Sequence, residues 1–187
     1  MLEITQPIKT ERLVLRPFTE ADEDDMLAFE SIPEVARYLF NEPRTRENNA
    51  EELALRVRQT ALRKEGDTLM LAIEQGGTVI GYTLLIWLSE QNQQGEFGYV
   101  LHPDHHGSGY ASEASVEMLR LGFEQLGLHR IIGRCDPRNT GSARLMERLG
   151  LRKEAHFVES EIFKGEWGGE LHYAMLAREW AESRWAS

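Results

Sequence analysis

The run His106-Gly107-Ser108-Gly109-Tyr110-Ala111-Ser112-Glu113-Ala114 restricts the fold of this chain more than any other stretch. Residues 96–101 before it read as a strand, and behind it Ala111, Ala114, Met118, Leu121 and Leu126 recur at helical spacing. A strand that enters a glycine turn and leaves as a helix aims the helix's free first-turn N–H groups at one point, and the helix dipole adds positive potential there. Such a junction is a seat for phosphate. Glycine serves it in two ways: a Cβ would hold an anion off the amides, and the turn can require positive φ.

The remaining pattern places this junction inside an α/β chain. Residues 12–16 read as a strand, residues 20–31 as a helix opened by a capping-box-like Thr19 and Asp22, and residues 32–44 as irregular. Ala50, Leu53, Ala54, Val57 and Ala61 predict a second helix over residues 45–64. Residues 69–74 and 78–88 flank Gln75-Gly76-Gly77 as a hairpin, and a turn at 91–95 leads into strand 96–101. After the glycine loop come a helix to Leu126, a strand over 130–135, a helix over 140–149 closed by Gly150, and strands over 151–163 and 170–177. The order implies a mixed sheet whose first half is antiparallel. At 187 residues with 41% hydrophobic, one domain over residues 1–187 can bury a full core.

A second motif, Asn139-Thr140-Gly141-Ser142-Ala143-Arg144-Leu145-Met146, follows the strand 130–135 and the breaker Pro137. Together the two motifs resemble the GNAT acyltransferases, which use acetyl-CoA, and within them the RimJ/RimL-like N-acetyltransferases. That family's pyrophosphate loop carries Arg or Gln, two free positions, Gly, one free position, then Gly or Ala. Here it reads His106 to Ala111, with His106 departing at a position where phosphate is met mainly by backbone amides. Asn139 and Ser142 match the family's Asn-x-x-Ser helix opening, and Thr10-Glu11-Arg12-Leu13-Val14-Leu15-Arg16-Pro17 is similar to the first strand of that branch, so the resemblance spans residues 10–176. It implies a GNAT fold, a mixed β-sheet flanked by helices with a splayed strand pair at the acetyl-CoA site. It also assigns cofactor contacts to Tyr99, Val100 and Leu101 on the strand that would pair with pantetheine and polarise the thioester. The loop residues His106, Gly107, Ser108, Gly109, Tyr110 and Ala111 join them, with Asn139 and Ser142.

Acetyl transfer to an amine needs a neutral nitrogen, a polarised carbonyl and a proton for the departing thiolate. Glu96 is the candidate general base, since relatives place an acidic residue on this strand; the plainer reading is an exposed Glu alternating with Phe97. An ordinary carboxyl, with pKa about 4.3, needs burial or a water relay for that task. Ser142 is the candidate general acid, because the tyrosine that many relatives carry four residues later is Met146 here; it could equally satisfy the helix start. Asn139 is either a pantetheine partner or an N-cap, and Gly98 either a bulge or an ordinary strand glycine. The acceptor pocket is expected from residues 32–44, 89–95 and 159–169, with Trp167.

Other chemistries fit less well. His102, His105 and His106 lack the spacing of a closed metal site, and no metal is expected. Cys135 reads as a core residue rather than an acyl-accepting nucleophile, having no evident partner base. Gly107-Ser108-Gly109 lacks the third glycine of a dinucleotide fingerprint, and Gly-x-Ser-x-Gly and Walker A patterns are absent. With 21 basic and 31 acidic residues, a net of −10, a nucleic-acid partner is not expected. The cluster Glu20, Asp22, Glu23, Asp24, Asp25 reads as a capped, solvated helix start before it reads as a steering patch. One cysteine, no spanning apolar run and no leader pattern lead to the expectation of a cytoplasmic protein without a membrane partner. The leading reading is an acetyl-CoA-dependent N-acetyltransferase acting on a small-molecule amine or a protein N-terminus in a ternary complex. The alternatives are a CoA-binding or sensing module without catalysis and a transferase of larger acyl groups; a homodimer is a family expectation.

Overall fold

A computed structural model describes residues 1–186. Strands β1 (Leu2–Glu3), β2 (Ile8–Lys9) and β3 (Val14–Arg16) precede helices α1 (Glu23–Glu30), α2 (Pro33–Ala36) and α3 (Arg46–Arg56). Then come β4 (Ala61–Leu62), β5 (Thr68–Gln75), β6 (Thr78–Ser89), β7 (Gln94–Leu101), α4 (Tyr110–Arg120), β8 (Arg130–Cys135), α5 (Thr140–Leu149), β9 (Arg152–Phe163), β10 (Glu166–Leu176) and α6 (Ala177–Ala181). Among the described residues the main sheet has the order β2-β3-β5-β6-β7-β8-β10-β9, and β1 pairs with β4 apart from it. All neighbours in the main sheet are antiparallel except β7 and β8.

Both faces of the sheet are covered, which is why β5 is a continuous apolar run. Its Leu69, Leu71 and Ile73 enter the core beneath α4 and α5, where Ala114, Met118, Leu145 and Leu149 close over them. Met70 and Ala72 point the other way, into a second core with Phe18, Met26, Phe29, Leu53 and Tyr82 beneath α1 and α3. Gly133 lets α5 sit close on β8: a Cβ there would lie 2.7 Å from the Met146 sulfur and 2.8 Å from the Phe97 ring. Met146 is thereby a core residue, buried at 3% exposure.

The parallel pair is short, and that shapes the molecule. Only Gln94, Gly95 and Glu96 of β7 find partners, in Arg130, Ile131 and Ile132 of β8. From Phe97 onward the two strands splay. The register of β7 against β6 stays regular through Gly98, so the gap comes from divergence of β8 and not from a bulge at that glycine.

Several expected boundaries shift for physical reasons. The helix expected over residues 45–64 stops at Arg56, because the carbonyls of Gln59 and Thr60 are taken by the amides of Met70 and Ile4 and residues 61–62 pair with β1. Its buried side also differs from the apolar stripe: Asn49, Leu53 and Arg56 face inward while Ala50 and Ala54 are exposed. Arg56 is tolerated there by Glu30 at 2.7 Å, Glu52 at 3.0 Å and the Tyr82 ring at 4.3 Å. The irregular segment 32–44 contains the short turn of α2. The helix expected to continue to Leu126 changes after Arg120 to a π turn over Leu121–Gln125. The strand expected over 170–177 begins earlier, at Glu166, because Lys164 and Gly165, at φ 50° and 85°, form a tight hairpin turn with β9.

Candidate active site

A cleft of about 1080 Å³ lies where β7 and β8 part. One end is the glycine turn. Gly107 and Gly109 adopt φ of 76° and 83°, and a Cβ on Gly107 would project into open space, so at these two positions the turn presents backbone alone to the cleft. Glu113 N–H to Gly109 C=O, 3.0 Å, is the first helical bond, and the amides of the turn before it have no intrahelical acceptor. This cradle has the chemistry to hold a pyrophosphate. Arg12 fixes it from outside: its Nη1 donates to the Ser108 carbonyl at 2.8 Å, its guanidinium lies over the Tyr110 ring, and it pairs with Glu113. Burial would raise the Glu113 carboxyl, but hydrogen bonds from Thr10 and Arg12 hold it below the usual range. The His106 imidazole turns back onto the Leu101 carbonyl at 3.0 Å, leaving the backbone of the turn to face the cleft.

At the start of α5, Asn139 is the N-cap, its Oδ1 accepting from Ser142 N–H at 3.1 Å. Asn139 supplies the cap contact from its side chain, so the Ser142 hydroxyl is free for another partner. It meets the Tyr99 phenol at 3.0 Å. Burial holds that phenol above its ordinary ionisation range, the hydrogen bond with Ser142 opposing only in part.

Glu96 stands three residues from Tyr99 on β7 and therefore on the opposite face of the sheet. Both its carboxylate oxygens accept from Arg134, Nε and Nη2 each at 3.0 Å, and its side chain is 14% exposed. Arg134 also reaches Glu170 at 3.4 Å, and Glu170 bonds His172, which is opposite Arg134 in the β8–β10 register. A row of three charged residues and a histidine thus crosses three strands on the face away from Ser142. Beyond it the cleft is walled by residues 34–41 and by Glu161, Phe163 and Gly169 of the β9–β10 hairpin. Cys135 also borders the cleft, its thiol pushed up to about 11 by burial and the neighbouring carboxylates of Asp136 and Glu170, so at neutral pH it is a thiol and not a nucleophile.

The sequence profile of the acetyltransferase (GNAT) domain matches residues 12–152. The chain belongs to the GNAT family. It is 30% identical over 176 residues to an uncharacterized N-acetyltransferase, p20, of Bacillus licheniformis, covering 94% of this chain and 99% of that one. The crystal structure of a GNAT-family acetyltransferase from Bacillus anthracis superposes with a TM-score of 0.81 at 30% identity, covering 93% of this chain and 100% of the other. The RimL ribosomal L7/L12 alpha-N-protein acetyltransferase, solved with coenzyme A, superposes with a TM-score of 0.79 over 93% of this chain and 99% of that one; at 17% identity the likeness is one of fold.

On this GNAT scaffold the expected site residues gather around one cleft except Ser108, whose carbonyl accepts from Arg12 instead, and two parts of the expected acceptor wall also lie outside it. The turn at 89–95 does not line it, because the three paired residues at the start of β7 close the gap at that end. Trp167 does not line it either; it stands on β10 at 64% exposure. Arg134, Glu170 and His172 were not expected, since an Arg in a strand and a Glu-x-His pair carry no motif. The acidic cluster at the first helix is knitted into the fold. Asp22 takes both terminal nitrogens of Arg16, Glu23 and Asp24 meet Arg46, and Asp25 accepts from Val79 N–H. Among the described residues no group of three metal-ligating side chains converges, and no helix is long and apolar enough to cross a membrane.

Proposed function

We propose that this GNAT enzyme transfers an acetyl group from acetyl-CoA directly to an amine within a ternary complex. The observation that carries the reading is the splay of β7 from β8, which joins a phosphate cradle on one side of the sheet to a charged, acceptor-sized opening on the other. Acetyl-CoA supplies an activated thioester. The amides of Gly107 to Ala111 take its pyrophosphate, and the edge of β7 that β8 leaves at Tyr99, Val100 and Leu101, where His106 already holds the Leu101 carbonyl, takes pantetheine as an added strand would. Asn139 remains available to the pantetheine amides through its Nδ2. That RimL was solved with coenzyme A supports the donor assignment.

The amine nitrogen attacks the carbonyl carbon, the C–S bond breaks, and its electron pair leaves on sulfur. Ser142 gives that sulfur a proton. Glu96, with Glu170 on the far side of Arg134, receives the proton lost by the amine, through water because Arg134 occupies both Glu96 oxygens. The acceptor enters between residues 34–41 and the β9–β10 hairpin, and is a small amine or a protein N-terminus. An amine panel assayed for free CoA release tests the reading: amine-dependent, stoichiometric thiol release is expected, and tight acetyl-CoA binding with no release for any amine would leave a binding module instead.

A further inference from the structure

Resting on that reading, we propose that the phenol of Tyr99 is the proton source behind Ser142, so that the two hydroxyls form a relay to the departing CoA thiolate. A serine hydroxyl that delivers its proton becomes an alkoxide unless another donor refills it at once, and an isolated alkoxide is far more basic than a thiolate. Tyr99 is placed to refill it. Its hydroxyl lies 3.0 Å from Ser142 Oγ, on the thiol side of the sheet and opposite the Glu96 row. The side chain at the family's usual tyrosine position, Met146, is buried in the core and has no proton to offer.

The surroundings suit the task. Burial keeps the phenol protonated beyond its ordinary range, and the charged or titratable groups acting on it, besides Ser142, are Cys135 and Arg148. Cys135 is itself held as a neutral thiol, and the positive charge of Arg148 stabilises a transient phenolate. The Asn139 cap leaves Ser142 Oγ free to face both partners. In the step the C–S electron pair goes to sulfur, the Ser142 proton to sulfur and the Tyr99 proton to Ser142 Oγ. The phenolate regains a proton from water as CoA leaves, matching the one the amine released. Tyr99 acts through Ser142 and is a positioning and proton-supplying residue.

Tyr99→Phe removes one oxygen and keeps the ring. Single-turnover acetyl transfer is measured for the wild type, Tyr99→Phe, Ser142→Ala and the double variant, with acetyl-CoA affinity and Tm recorded for each. The thiol of bound CoA is titrated by its ultraviolet thiolate absorbance in the wild type and Tyr99→Phe. Tyr99→Phe should slow transfer about 10- to 100-fold with affinity and Tm little changed, and the double variant should be only slightly slower than the slower single one. Bound CoA should ionise at higher pH in Tyr99→Phe, and the rate in mixed light and heavy water should curve for the wild type, where two protons move, and run straight for the variant. A transfer rate within twofold of wild type overturns the relay. So does a loss that multiplies with that of Ser142→Ala while bound CoA titrates as in wild type. Absence of transfer by the wild type with any amine would fail the acetyltransferase reading instead, a separate outcome.

Discussion

The two ends of the cleft are built by different means. The donor end is mostly backbone: two glycines at positive φ, the first turn of α4, the edge of β7 that β8 leaves and an asparagine cap. The acceptor end is side chains meeting across strands far apart in sequence, Glu96 with Arg134, Glu170 and His172, walled by a hairpin and an irregular segment. A backbone cradle fits a ligand portion that never varies, whereas a wall of exchangeable side chains can be altered without disturbing the fold. On the proposed reading, this contrast lets the acceptor end be altered while the donor end is kept.

If the donor end holds the thiolate as proposed, Ser142→Ala should produce the largest change, lowering the rate of acetyl transfer about 100-fold while acetyl-CoA affinity stays near wild type. A transfer rate equal to wild type would reduce Ser142 to a packing role. Next comes Gly109→Val, which places a branched residue at φ 83° beside the cradle and within reach of Arg12; calorimetric titration should show CoA affinity reduced by at least about 10-fold, with the circular dichroism spectrum retained. Normal affinity would move the phosphate seat elsewhere.

At the acceptor end the expected effects are smaller and condition-dependent. Glu96→Gln should lower kcat/KM about 10-fold at the acid end of the pH profile and less at alkaline pH, where neutral amine is plentiful. A profile parallel to wild type would leave Glu96 as a partner of Arg134 alone. The smallest effect concerns the strap that ties the N-terminal segment to the cradle. Glu113 ionises below its ordinary range in the fold, so its contribution to stability is present above the unfolded pKa of about 4.3 and is lost as pH falls through the folded value. Glu113→Gln should lower Tm by about 2–4 °C at pH 7, with the difference from wild type closing in acid.

What could be read from the sequence follows the same division. Gly107, Gly109, Asn139 and the strand-turn-helix order mark local backbone geometry, and local geometry is written in adjacent residues. The splay itself was legible only through family resemblance, because no residue of β7 announces where β8 departs. Arg134, Glu170 and His172 were hidden because each is an ordinary strand residue until the register brings them to one face. The early end of α3 was hidden for a related reason: the apolar spacing through Ala61 continues, while Ile4 and Met70 claim the backbone of residues 59–60 from a distance. The inward Arg56 contradicts the helix's own apolar stripe and is explained only by Glu30, Glu52 and Tyr82.

The division between a backbone-built donor end and a side-chain-built acceptor end is tested most directly by amide hydrogen exchange with and without CoA. Protection should rise across residues 99–112 and at the start of α5, and remain unchanged over residues 34–41 and 161–170. Protection concentrated in those two acceptor segments, with residues 99–112 exchanging as in the free protein, would contradict it.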